Sequence, residues 1–140
     1  MSTPHESAES LMRLYELRRE SKLREARNWC VRSFNPESAE EVVQALGSEN
    51  GVFFRMAAGY WDMAATFVVH GAIDVAMFQA TCGEMLAMYC KVEHMIDDVR
   101  EITGQPNLFK HVQLVASDWP GAAERMPAMR QYFSELAANS

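Results

Sequence analysis

Between residues 75 and 103 the apolar positions recur at alternating steps of three and four: Val75, Phe78, Cys82, Met85, Tyr89, Val92, Ile96 and Val99, ending on Thr103. That spacing is an a/d seam and predicts one long helix, about 74–103, packed lengthwise on its neighbours. Asp74 can accept a hydrogen bond from an otherwise unpaired N–H of the first turn, and Gly104 suits a left-handed residue after the last. The stretch before it, about 50–70, is apolar almost all round, with Phe53, Phe54, Met56, Tyr60, Trp61 and Phe67 on different sides. It is expected to be the most buried helix, and the tight link through Gly71 makes the two antiparallel neighbours.

A first helix is expected over about 6–33. Leu11, Met12, Tyr15, Ala26, Trp29 and Cys30 fall on one side of it, although Arg18, Arg19 and Lys22 interrupt that side. Asn35-Pro36 stops it, because proline disfavours a helical conformation in the residue before it. A short helix, about 38–46, opens on the capping box Ser38 to Glu41 and closes at Gly47. After Gly104-Gln105-Pro106, another short helix, about 107–116, leads to Asp118, a cap for the last helix, 118–138. In that helix Pro127 removes one hydrogen bond. The pattern as a whole predicts an all-α fold: a single-domain antiparallel helical bundle over 1–140, with four long helices (about 6–33, 50–70, 74–103 and 118–138) and two short ones. A length of 140 residues leaves no room for a second domain.

Four strings along this path resemble an uncharacterised bacterial family of small all-helical proteins: Leu14-Tyr15-Glu16-Leu17-Arg18-Arg19-Glu20, Phe34-Asn35-Pro36-Glu37, Tyr60-Trp61-Asp62-Met63-Ala64 and His70-Gly71-Ala72-Ile73-Asp74. The likeness spans most of the chain. Its motifs are helix-packing strings, so the resemblance implies the helical fold and brings no activity, cofactor or site residue.

Composition narrows the function classes. The net charge of -6 is unevenly spread, with seven Lys/Arg against five Asp/Glu up to residue 35 and six against fourteen beyond it. An acidic molecule with one basic helix lacks the concentrated positive footprint of a general nucleic-acid binder, while an acidic protein partner for the first helix stays open. No apolar run reaches the roughly 18 residues of a membrane span, and the N-terminus lacks the build of a signal peptide, so no membrane partner and a cytoplasmic location are expected. Cys82 and Cys90, eight apart on the expected seam helix, lie too far apart to bridge. Reduced thiols are therefore expected. Ten methionines suit gap-filling between helices.

No catalytic, nucleotide or metal motif rises above background, so no catalytic residue, metal or cofactor is assigned. The candidate ligand-binding residues are Arg55, Tyr60, Trp61, Asp62, His70 and Tyr89. Arg55, Gly59, Asp62 and Thr66 follow steps of four, three and four on one helix stripe. That stripe is a polar groove over Gly59, a solvent-facing side, or one half of an ion-pair network with Arg18, Arg19 and Lys22, for which Asp62, Glu84 and Glu93 are the carboxylates available. His70 complements the negative end of its helix or pairs with Asp74. Cys90, His94 and Asp98 at i, i+4 and i+8 give only a weak metal signal, since no second Cys/His pair exists to complete a site.

The leading expectation is a non-enzymatic protein acting through protein–protein interaction or self-association, because Leu11, Leu14, Leu17, Met12 and Tyr15 cover almost the whole circumference of the first helix. The alternative is a small-molecule-binding bundle with a pocket between the third and fourth helices, lined by Tyr60, Trp61, Met85 and Tyr89 and oriented by Asp62 or Arg55.

Overall fold

Thr3 starts the first helix, α1 (Pro4–Arg18). Its hydroxyl accepts from the Glu6 N–H (3.1 Å) while the Glu6 carboxylate accepts from the Thr3 N–H (2.9 Å), a reciprocal capping box with Pro4 at the first helical position. The computed structural model describes residues 2–140, and among them the regular structure is entirely helical.

The helix expected over 6–33 is divided. Glu20 takes an extended backbone (ψ 139°), and its carboxylate accepts from the N–H groups of Lys22 (3.0 Å) and Leu23 (2.9 Å), so a second helix, α2 (Ser21–Asn28), begins where the first was expected to continue. α2 then widens into a π-helical turn, Trp29–Ser33, which ends before Asn35-Pro36 as proline requires. α3 (Ala39–Leu46) starts on Ser38, whose hydroxyl accepts from Glu41 N–H; the Glu41 carboxylate accepts from Glu37 N–H rather than closing the expected box.

α4 (Gly51–Val69) is the central helix, packed against α2, α3 and the later α8 (Lys110–Ser117). Its start demands glycine: a Cβ on Gly51 would meet the Leu46 carbonyl oxygen at 2.1 Å, so the turn from α3 could not close this tightly with any side chain. Phe54, Ala57, Tyr60, Trp61, Ala64 and Val68 are buried, but Val52, Met63, Phe67 and Val69 are exposed, so the helix is less completely enclosed than its composition suggests.

The seam expected as one helix over 74–103 is divided as well. α5 (Val75–Thr81), α6 (Glu84–Tyr89), a 3-10 turn (Glu93–Met95) and α7 (Ile96–Thr103) succeed one another. Phe78, Cys82, Met85, Tyr89, Val92, Ile96 and Val99 are nevertheless all buried, so the spacing marked the core while the axis turns at Cys82-Gly83 and again after Tyr89. The Thr81 hydroxyl donates to the Met77 carbonyl (2.8 Å), occupying a backbone acceptor at the first break. Asp74 caps α5 through the Met77 N–H (3.0 Å), and Gly104 closes α7 in the left-handed region at φ 69°, both as expected. α9 (Ala122–Ala138) runs through Pro127 and follows Gly121 (φ 78°); Asp118 ends α8 instead of capping α9. Among the described residues no helix is long and apolar enough to cross a membrane.

Candidate functional site

The Asp62 carboxylate links α4 to the start of α8. Its Oδ1 accepts from the N–H groups of His111 (2.9 Å) and Val112 (3.0 Å), and its Oδ2 lies 2.9 Å from His111 Nδ1. Those N–H groups belong to the first turn of α8, where an anion meets the positive end of the helix dipole, so Asp62 caps a helix distant in sequence. Phe109, just before α8, adopts the left-handed region at φ 58°, an outlier for a bulky residue, and is held there between Phe54 and Tyr89 (ring centroids 5.8 and 5.4 Å). Asn107, where the sequence places the start of this helix, is itself a favoured cap residue, so no sequence signal pointed to Asp62 or His111.

Beside this cap lies a cleft of about 270 Å³ lined by Arg55, Gly59, Asp62, Gln105, Asn107 and Phe109 among others. A Cβ on Gly59 would meet nothing within 4 Å, and the Arg55 guanidinium donates to the Leu46 carbonyl at the end of α3 (3.2 Å). Thr66, the last member of the stripe, donates to the Asp62 carbonyl (2.7 Å).

The other candidates separate. Tyr60 and Trp61 are core residues, stacked edge-on at 4.9 Å, with the Tyr60 hydroxyl donating to the Leu14 carbonyl (2.5 Å). They, Met85 and Tyr89 are buried members of one apolar core. His70 is exposed at the end of α4, its ring 6.4 Å from that of His111, while Asp74 is occupied as a helix cap. The expected ion pairs are also redistributed. Glu84 takes Arg27 (2.6 and 3.0 Å), Glu93 takes Arg130 (3.0 Å), and Arg18 instead lies over the rings of Tyr15 and Trp61 (5.1 and 5.6 Å). The division after Tyr89 separates Cys90, His94 and Asp98, and among the described residues no group of three or more His, Cys, Asp or Glu is placed to hold a metal ion.

Lys91, which belongs to no motif in the sequence, is 2% exposed. Its ammonium donates to the carbonyls of Val31 (2.8 Å) and Phe34 (2.9 Å) and to Asn35 Oδ1 (2.6 Å), below the Phe133 ring at 4.7 Å. It thus secures the end of the π-helical turn to α6 and α9, and burial pushes its amine down to about 8. A lone lysine within the apolar run 85–92 was the available signal. Two clefts of about 370 and 460 Å³ flank this region and share His94, Pro127 and Arg130.

On the opposite side of the chain's start, α1 and α5 enclose an apolar groove of about 430 Å³ with Leu11, Met12, Tyr15, Met77 and Cys82 in its wall and Arg18 beside them. Met12 is 59% exposed and Tyr15 47%, whereas Leu14, expected on the surface excess, is buried at 3%. Burial pushes the thiols of Cys30 and Cys90 up to about 12 and 11, away from thiolate chemistry.

These features define the class: an all-helical domain in which Asp62, Asp74, Glu84, Lys91 and Glu93 cap helices or tie elements together. Residues 4–119 match the family model described as Domain of unknown function (DUF4760), and the chain belongs to that family. No curated protein and no solved structure matches it.

Proposed function

We propose that this is a non-enzymatic helical protein that acts by protein–protein contact, and that the contact is made with a second copy along α1. The observation that carries the reading is the side-by-side exposure of Met12 and Tyr15 above the apolar groove. Charge supplies the geometry. Glu9, Met12, Glu16 and Arg19 follow steps of three, four and three and share one exposed stripe, acidic at its start and basic at its end. Two such helices laid antiparallel about a two-fold axis set Glu9 of each against Arg19 of the other, with Met12 and Tyr15 between them. The high thiol pKa values and the use of Asp62, His111 and Lys91 as structural ties support the non-enzymatic part.

Sedimentation at several concentrations tests this. Wild type should dimerise, Met12→Glu with Tyr15→Glu should remain a folded monomer, Arg19→Glu should weaken the dimer, and Glu9→Arg added to Arg19→Glu should restore it. A wild-type protein that stays monomeric at high micromolar concentration refutes the reading. A second reading, small-molecule binding, is favoured by the open space over Gly59 beside Arg55 and Asp62. A thermal-shift screen in which a metabolite stabilises the protein, with loss of the effect in Gly59→Leu, would support it.

A further inference from the structure

The cleft of about 460 Å³ between α6, α8 and the start of α9 is independent of the α1 surface and falls in the size range of small-ligand sites. Its wall contains the buried side chains of Tyr89, Trp119 and Met126. Tyr89 is 1% exposed, and its hydroxyl has no hydrogen-bond partner among the described residues. Burial pushes the phenol up to about 12, so it stays a neutral O–H that needs both an acceptor and a donor. A phenylalanine would fill the same volume without that cost, which makes the hydroxyl the unexplained group of this wall.

The rim gives the ligand its charge. Glu93 is engaged by Arg130 (3.0 Å), and His94 is held toward its neutral form by burial and by the Arg130 guanidinium. Glu124, exposed on the first turn of α9, makes no ion pair among the described residues and leaves the rim with one uncompensated negative charge. Apolar contacts at Trp119 and Met126, an unsatisfied hydroxyl and a surplus carboxylate together specify the occupant. We propose that this cleft binds a small aromatic amine, its ring against Trp119 and Met126, its ammonium toward Glu124, and a ring hydroxyl reaching the Tyr89 hydroxyl as the wall relaxes around it.

Titration of the full chain with tyramine, whose ring hydroxyl can meet the Tyr89 hydroxyl, followed by NMR, tests the assignment, with 4-hydroxyphenylacetate as the charge-reversed control. Tyramine should shift the Trp119 indole and Ala116 and Ala123 amide signals, whereas 4-hydroxyphenylacetate should leave them in place. Tyr89→Phe should melt no lower than wild type yet bind about tenfold more weakly, as loss of one hydrogen bond predicts, and Glu124→Gln should also weaken binding. The proposal is overturned if these signals do not move at millimolar tyramine, if 4-hydroxyphenylacetate binds as well, or if Tyr89→Phe binds tyramine unchanged. A Tyr89→Phe melting point below wild type would also overturn it, because the hydroxyl would then have a partner in the unliganded protein.

Discussion

Replacing Asp62 by alanine removes three hydrogen bonds at once and leaves the first turn of α8 uncapped. Loss of a helix N-cap costs about 1 kcal/mol, and a hydrogen bond to a charged group contributes about 1.5 to 3 kcal/mol. Asp62 and His111 are each 26% exposed, so water can reach the vacated N–H groups and the pair is partly screened. The expected loss is about 2 to 3 kcal/mol, below the 3 to 5 kcal/mol of a stranded buried arginine, because the partner is a part-exposed histidine and a helix end. Asp62→Asn keeps an acceptor for the two backbone N–H groups and should cost only about 1 kcal/mol. Urea denaturation followed by circular dichroism measures both, and the His111 and Val112 amides should lose exchange protection in the alanine variant. A loss under about 0.5 kcal/mol, the ordinary value for surface substitutions, would refute the capping argument.

Lys91→Met leaves the buried Phe34 carbonyl and the part-buried Val31 carbonyl and Asn35 amide oxygen without their donor and should destabilise the protein by about 2 kcal/mol in the same assay; an unchanged midpoint would contradict it. Because the amine titrates near 8 when folded and near 10.5 otherwise, the unfolded chain holds the extra proton between those values. Wild-type stability should therefore rise relative to Lys91→Met as pH climbs from about 8 to 10.5, by up to about 1.4 kcal/mol per unit, and a flat or falling difference would show the lysine to be poorly buried. The three cysteines are buried, and two have raised thiol pKa values, so a disulfide reagent at neutral pH should react with all three only after denaturation. Rapid labelling of any one in the native protein would argue against that environment.

The helical class and most core positions were legible in the sequence, because burial follows a period that a single helix turn already enforces. The capping roles of Asp74, Ser38 and Gly104 were legible for a related reason: a cap acts within three residues of itself. Continuity was not legible. The same three-four spacing is met by one straight helix and by three short ones wrapped on a core, and Thr81 and Gly83 resolve the choice through a local hydrogen bond and a turn, as Glu20 does for the first helix. The stripe of Arg55, Gly59, Asp62 and Thr66 was visible as a stripe, but whether it faced water, a groove or a charge depended on α8 arriving over it. Partners distant in sequence were beyond periodicity altogether. Asp62 meets His111, Glu84 meets Arg27, Glu93 meets Arg130 and Lys91 meets the end of the π-helical turn because long-range packing brings those helices together, and a charged side chain pairs with whatever the fold places within reach.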